Sequence, residues 1–196
     1  KTQWALLSNI QIERALTDDI SASLGYINSI GRNMPVVLDT NLTPTGATLG
    51  DGRPVYSSTR PNTAFNAIDV AQSIGEGSYN ALTVTVQKRM RNGWQMQANY
   101  TLAKSTDNAP FPGYVLATGD SRISDPSNID RDKGVAPFNQ THTFALSTLL
   151  QPKIEGSLAP IVNNNQLGVI IQANSGLPFN IVTNRDLNGD GLANND

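Results

Sequence analysis

The chain has 196 residues, a net charge of −2 and only 15% charged residues, against about 25% in an ordinary soluble domain. Neutral polar residues fill the difference, with 21 Asn, 17 Thr and 15 Ser, and this composition excludes a coiled coil, a helical bundle and a charge-rich disordered tail. The charge balance gives no basic surface for nucleic acid, and the absence of cysteine excludes disulfides and thiolate metal sites.

Two strands are predicted at the start of the chain. Trp4, Leu6, Ile10 and Ile12 share one parity, which predicts a strand over 3–14. Alternation resumes after a polar turn at 17–19 and predicts a strand over 20–28. The following stretch, 28–66, is rich in turn-forming residues and predicts a long loop.

The next two strands form the clearest hairpin in the sequence. The apolar segment 67–74 and the alternating segment 79–90 predict one long strand over 67–90, interrupted by a β-bulge at the glycines of 75–77. Asn92-Gly93 is a strong hairpin turn signal, and alternation continues over 94–105. One face of this hairpin is expected to meet lipid or another apolar partner: Leu82, Val84, Val86, Trp94, Met96, Ala98, Tyr100 and Leu102.

The last part of the chain adds a second long loop and two more strands. Residues 107–141 predict the loop, and alternation predicts strands over 142–150 and 166–175. No segment repeats with helical spacing, and no run approaches the ~18 apolar residues of a membrane-spanning helix. The expected fold is therefore all-β, an antiparallel up-and-down meander of six long strands.

Loop lengths and face chemistry favour a membrane barrel over a soluble sandwich. Tight turns alternate with loops of more than ~15 residues, which a compact soluble domain rarely carries but outer-membrane barrels do. The polar face carries Gln, Asn, Thr and Ser rather than Lys and Glu, and Trp94 beside a turn suits an aromatic girdle. We therefore expect residues 1–196 to form one segment of a large outer-membrane β-barrel.

Several motifs, in order along the chain, carry a family resemblance. The chain resembles the barrels of TonB-dependent receptors, and most closely the Oar-like group with a carboxypeptidase-regulatory-like N-terminal domain. The resemblance is strong from Ser78 onward and only at the level of pattern before it. The stretches that match the family are Ser78–Arg89, Ala98–Asp107, Asn128–Gly134, Phe138–Phe144, Asn174–Ile181 and Asp186–Gly191.

The resemblance implies a fragment of a barrel of typically 22 strands around a plug, which imports scarce ligands across the outer membrane. The sequence shows neither a plug domain nor a TonB box, so contact with the energy-coupling TonB complex is expected only through parts outside it. The end of the chain, 194–196, also lacks the aromatic-ended last strand of such barrels. We expect localisation in the bacterial outer membrane, or at the cell surface if the chain belongs to a released assembly.

Candidate sites are few. Asp186, Asn188 and Asp190 have the spacing of a calcium loop, but the acidic twelfth ligand is absent, and a surface turn is the alternative. His142, the sole histidine, has no carboxylate nearby in sequence and is expected to pack at a strand start. The charged patch 130–133 is expected to tether its loop. No nucleophile or phosphate-binding motif is present, so no enzyme activity or cofactor is expected.

Two further functions stay open beside ligand uptake. The chain could be a structural subunit that pairs edge to edge with other chains, or a soluble extracellular β-sandwich that binds carbohydrate. Six strands are fewer than the ~8 of the smallest single-chain barrels, so we expect an open sheet. Its edge strands, about 3–14 and 166–182, are then expected to pair with missing barrel strands or with neighbouring chains. The exterior of the barrel is expected to contact outer-membrane lipid.

Overall fold

The computed structural model describes residues 1–109, 123–179, 181 and 183–193. Nine strands lie in these ranges: β1 Trp4–Ala15, β2 Ile20–Asp39, β3 Pro44–Thr48, β4 Pro54–Tyr56, β5 Asp69–Arg91, β6 Trp94–Asp107, β7 Gly134–Val135, β8 His142–Leu150 and β9 Leu167–Asn174. A 3-10 turn covers Ile129–Asp132, and one short helix, α1, covers Ala159–Val162. None of the helical segments in the described ranges has the length and hydropathy of a transmembrane helix.

Six long strands form one antiparallel sheet in the order β1-β2-β5-β6-β8-β9, with β7 added beside the end of β6. Each long strand pairs with the next long strand along the chain, which is the predicted up-and-down meander. Within the described residues the sheet is not closed, so β1 and β9 are its two edges. The hairpin of β3 and β4 forms a separate two-stranded sheet.

The connections place short turns at one end of the sheet, the turn end, and long loops at the other, the loop end. At the turn end, the backbone N–H groups of Leu16 and Thr17 both donate to the carbonyl of Ile20. Asn92 and Gly93 have φ of 56° and 74°, which is the backbone of the predicted Asn-Gly hairpin turn. The connection between β8 and β9 also lies at this end and is longer because it contains α1.

The register gives the sheet two chemically different faces. Leu24, Val84, Tyr100 and Phe144 lie directly opposite one another across four strands, on what we call the apolar face. One residue further along, the aligned positions of β5 and β6 are Thr85 and Asn99, on the polar face. Side chains alternate between the faces of a sheet, so the predicted period-2 pattern becomes this separation.

β2 is longer than predicted, because it continues to Asp39 instead of ending near residue 28. β5 runs without interruption through the glycines of 75–77 and continues its pairing with β2 up to Asp69. The register shifts twice at this level. Asn33 of β2, with a φ of 55°, has no opposite residue, and Ile74 of β5, directly before the predicted bulge at 75–77, has none either. The predicted loop at 28–66 is therefore a loop of 40–68. Of the predicted loop at 107–141, residues 110–122 lie outside the described residues.

The bulge changes which face the far end of β2 presents. Gly31 and Gly77 belong to the polar face, and a Cβ built on either would lie 3.2 Å from the sulfur of Met34. Met34 therefore lies on the polar face, although its even number would place it on the apolar face of an unbroken strand. The small buried core follows on the same side, and it consists of Val36, Leu38, Ala109 and Ile123, with Met34 and Ile129 packed against it.

Candidate functional site

The apolar face carries a continuous surface across all six long strands, which we call the apolar band. All eight side chains predicted to meet lipid or a partner lie in it. Large members are exposed, with Ile12 at 70% and Leu82 at 42%. The band comprises Ile10, Ile12, Ile20, Ala22, Leu24, Tyr26, Leu82, Val84, Val86, Trp94, Met96, Ala98, Tyr100, Leu102, Phe144, Leu146, Leu150, Leu167, Val169, Ile171 and Ala173.

The height of the apolar band matches a membrane. In β6 it runs from Trp94 to Leu102, and the next residue on that face is Lys104. Nine residues span roughly 27 Å along a strand, or about 20 Å across a bilayer when the strand is tilted by about 40°. Strands that cross an outer membrane need ~9–11 residues, so the band covers one crossing.

Aromatic side chains with satisfied polar tips lie at the borders of the apolar band. Near the loop end, the Tyr26 hydroxyl donates to Asn80 Oδ1 at 2.7 Å. Tyr100 lies deeper, opposite Val84, and its hydroxyl shares a 2.7 Å hydrogen bond with Nδ1 of His142, which lies one row closer to this border, opposite Leu102. Near the turn end, Trp94 Nε1 donates to Thr148 Oγ1 at 2.9 Å. Amphipathic rings of this kind concentrate where lipid tails meet headgroups.

A buried ion pair joins the two tight turns at the lower border of the band. The ammonium group of Lys88 is ion-paired with Asp19 and lies 5.3 Å from the centre of the Trp94 ring. Lys88 itself is only 8% exposed. The hydrogen bond from Lys88 lowers the pKa of the Asp19 carboxyl below its usual value, more than desolvation raises it. The charge at this border is therefore paired and covered by an aromatic ring.

The polar face is neutral over its central part. In β5 and β6 its side chains are hydroxyls and amides, such as Thr85, whose Oγ1 donates to Asn99 Oδ1 at 3.0 Å. In β2 the same face carries serines and glycine, and a Cβ at Gly25 would lie 2.6 Å from Thr83 Oγ1. A surface of uncharged hydrogen-bonding groups suits the water-filled interior of a barrel.

The described loops at the loop end are tied to one another in what we call the loop cap, residues 40–68, 123–141 and 183–193. The Tyr56 N–H donates to the carbonyl of Asn188 at 2.7 Å, and Asn188 Nδ2 donates to the carbonyl of Ser124 at 3.4 Å. Arg60 Nη2 donates to the carbonyl of Asp190 at 2.9 Å. Three segments far apart in sequence therefore form one unit.

The charged patch 130–133 contributes to this unit, as expected. Arg131 lies 3.5 Å from the Asp51 carboxylate and also donates to the carbonyl of Asp51. Asp130 accepts from Asn108 Nδ2 at 2.8 Å, and Asp132 accepts from the Ser124 N–H at 2.7 Å. The patch tethers its loop to two other segments.

The three residues with calcium-loop spacing lie together in the loop cap, with their oxygens directed at the chain itself. The carboxylate of Asp186 accepts from the N–H groups of Gly189 and Gly191, at 2.6 and 2.9 Å. Asn188 is fully buried, and Asp190 accepts from the Leu192 N–H at 2.7 Å. No group of three or more acidic, histidine or cysteine side chains suited to a metal occurs among the described residues. This geometry favours a turn held by hydrogen bonds to its own backbone, in which Asn188 and Asp190 are buried in the loop cap and not at the surface. Calcium binding stays a hypothesis.

Two carboxylates of the loop cap, Asp125 and Asp190, act electrostatically on Tyr56. Burial raises the pKa of the Tyr56 hydroxyl to about 12, and the charges of Asp125 and Asp190 act in the same direction. Asp125 and Asp190 are themselves buried, at 4% and 5% exposure. The hydroxyl of Tyr56 is therefore protonated at any physiological pH.

Comparison with protein families decides what the two-faced sheet belongs to. A family profile described as "Outer membrane beta barrel domain" matches residues 1–196. The chain belongs to this outer-membrane β-barrel family. No curated protein and no solved structure matches the chain. The barrel domain is located in the outer membrane, which agrees with the predicted localisation and all-β fold.

Because the chain belongs to this family, its apolar face is explained by a membrane barrel and not by a soluble sandwich. A sandwich would cover that face with a second sheet, yet in the described part of the chain the only other sheet is the hairpin of β3 and β4. In outer-membrane barrels an apolar band of this kind is the outward surface, and a polar face of this kind lines the interior.

Two features of the site were absent from the sequence prediction. Lys88, which the sequence analysis does not single out, is buried between Asp19 and Trp94. Its place on the apolar parity, directly after Val86, is the signal that could have identified it. The loop cap depends on contacts over more than 60 residues, such as Asn188 with Ser124, for which no local pattern exists.

Proposed function

We propose that the barrel domain is part of a TonB-dependent type of receptor that takes up a ligand across the outer membrane. The observation that carries the proposal is the pair of faces on one open sheet, with a lipid-height apolar band outside and a neutral polar surface inside. This is the wall of a barrel wide enough to hold water or a ligand, because six strands supply only part of its circumference. The motifs from Ser78 onward support the receptor type, because several occur in the family's order.

The sheet edges indicate partners for the wall. The N–H and C=O groups along the outer sides of β1 and β9 need acceptors and donors, since each unsatisfied group costs several kcal/mol in lipid. In the proposed receptor these edges pair with further barrel strands, and contact with the TonB complex belongs to other parts of the receptor. Lipid contacts the apolar band.

The loop cap is the proposed ligand-facing end. Tight turns lie at the other end of the sheet, and outer-membrane barrels place short turns toward the periplasm and long loops outside the cell. Cross-linked loops such as those joined by Asn188 and Arg60 hold their shape before a ligand arrives, which lowers the entropic cost of binding.

The experiment is an uptake assay in a bacterium that makes the full receptor, with and without a functional TonB complex. Mass spectrometry of the medium identifies compounds that cells remove. We expect at least one compound class to be depleted only when both receptor and TonB complex are present. Equal depletion in all strains contradicts energy-coupled uptake by this chain.

The unpaired edges also favour a second candidate, a structural subunit that pairs with copies of itself. Cysteines at Asn9 in β1 and Ile170 in β9 place one thiol on each edge of the polar face. Oxidation of the double variant in membranes gives a ladder of linked chains if copies pair edge to edge. Absence of such a ladder, together with TonB-dependent depletion, favours the receptor.

A further inference from the structure

A depression of about 330 Å³ lies on the apolar face at the upper border of the apolar band, and we call it the border depression. Its lower part is apolar and its upper part is polar. The apolar lining includes Tyr26, Leu82 and Leu102, with Ala81 and Ala103, and the polar lining is Asn80, Lys104 and Thr141. A molecule that fills the depression must therefore be amphiphilic, with its polar group toward the loop end.

Hydrogen bonds fix the orientation of the amide at the upper wall of the border depression. Asn80 Oδ1 accepts from the Tyr26 hydroxyl at 2.7 Å and from Asn28 Nδ2 at 2.8 Å. Because its oxygen is engaged by two donors, Asn80 offers only N–H groups to a ligand. Among the described residues no acceptor is found for these N–H groups.

Lys104 supplies a cation on the same border. It follows Leu102 on the apolar face, directly opposite Asn80 in the pairing of β5 with β6. It is exposed, and within the described part of the chain its ammonium group makes no ion pair. By contrast, Lys88 at the lower border is paired with Asp19.

No carboxylate adjoins this row of donors in the pairing of β5 with β6. On the same face of β5 the first acidic side chain toward the loop end is Glu76, four residues beyond Asn80, and it is ion-paired with Arg32 at 3.5 Å. Hydrogen-bond donors that have no acceptor, next to a cation that has no ion-pair partner among the described residues, form a site that suits an oxyanion. A phosphate group provides several charged oxygens, which the ammonium of Lys104 and the amide of Asn80 can share.

We propose that the border depression binds a phosphate-bearing anionic lipid. The lipid phosphate contacts Lys104 and Asn80, and its acyl chain lies along Leu82, Leu102 and the ring of Tyr26. Basic side chains at the membrane surface attract anionic headgroups, and the apolar band below supplies the contact surface for the chain. This inference does not depend on which ligand the barrel domain takes up.

The test is native mass spectrometry of the complete barrel in neutral detergent, with phosphatidylglycerol, phosphatidylcholine and inorganic phosphate as separate probes. We expect phosphatidylglycerol to bind in preference to phosphatidylcholine, whose choline cation offsets its phosphate, and inorganic phosphate not to compete. Lys104→Met should lower phosphatidylglycerol binding about fivefold, and Lys104→Arg should retain it. Lys153→Met, at the turn end, is the matched control and should leave binding unchanged.

Three results would overturn the proposal. Unchanged phosphatidylglycerol binding in Lys104→Met excludes this lysine as the recognition group. An equal loss in Lys153→Met shows attraction to overall charge rather than a site. Competition by inorganic phosphate at lipid concentration shows an anion site that needs no acyl chain. Asn80→Asp keeps the acceptor for Tyr26 and adds a charge, so it should weaken binding without removing the lysine.

Discussion

Replacing Val84 with arginine tests the lipid-facing assignment at its most sensitive point. Val84 lies midway between two polar residues of β5 on the same face, Lys88 below and Asn80 above. Each is four residues away, roughly 14 Å along the strand and about 10 Å in depth at a tilt near 40°. An arginine at this depth should lower the free energy of unfolding from the membrane by about 2–4 kcal/mol.

Two matched variants separate depth and face from simple disruption. The arginine of Val86→Arg lies one row closer to the lower border. It should lower the free energy of unfolding by less than Val84→Arg, because its guanidinium can reach the headgroups more easily. Thr85→Arg lies on the polar face and loses one hydrogen bond with Asn99, for a cost of about 0.5–1.5 kcal/mol.

The assay is a urea titration of the complete barrel, with the strands that pair with β1 and β9, folded in phospholipid vesicles and followed by tryptophan fluorescence. Val84→Arg should show the lowest unfolding midpoint of the three variants. Equal midpoints for Val84→Arg and Thr85→Arg would refute the assignment of the apolar band to lipid.

Three further outcomes follow from the turn end and the loop cap. Because the pKa of Asp19 is lowered mainly by Lys88, the stability this carboxylate contributes is present above its unfolded pKa of about 3.9 and is lost as pH falls through the lower folded value. Lys88→Met should remove that acid-dependent part of the stability, and NMR titration should show the Asp19 pKa rising; an unmoved pKa contradicts the pairing. Gly189→Ala should destabilise the loop cap by at least about 1 kcal/mol, because φ is +78° and the new Cβ would lie 2.5 Å from the Tyr56 carbonyl oxygen. Gly50→Ala meets nothing within 4 Å and is its control, with hydrogen exchange of residues 40–68 as the measurement. Calorimetry with millimolar calcium should give no binding heat, since both oxygens of Asp186 accept backbone N–H groups; heat that Asp186→Asn abolishes would restore the calcium hypothesis.

The repeating part of this protein can be predicted from local sequence patterns. Alternation at positions such as Leu82, Val84 and Val86 is a local property, because neighbouring side chains of a strand point to opposite faces. The Asn92-Gly93 turn is equally local, since it depends on two residues that accept positive φ. From these signals follow six strands, their order, their two faces and the open sheet.

The features that depend on distant partners are visible only in the folded protein. The extension of β2 to Asp39 is set by its pairing with β5 and by the bulge at Asn33, which local pattern does not reveal. The burial of Lys88 needs Asp19, 69 residues earlier in the chain, and the loop cap needs Asn188 beside Ser124. The border depression likewise joins residues of three strands. Such contacts form only when separated segments meet, so their energies cannot be predicted from the sequence of any one segment.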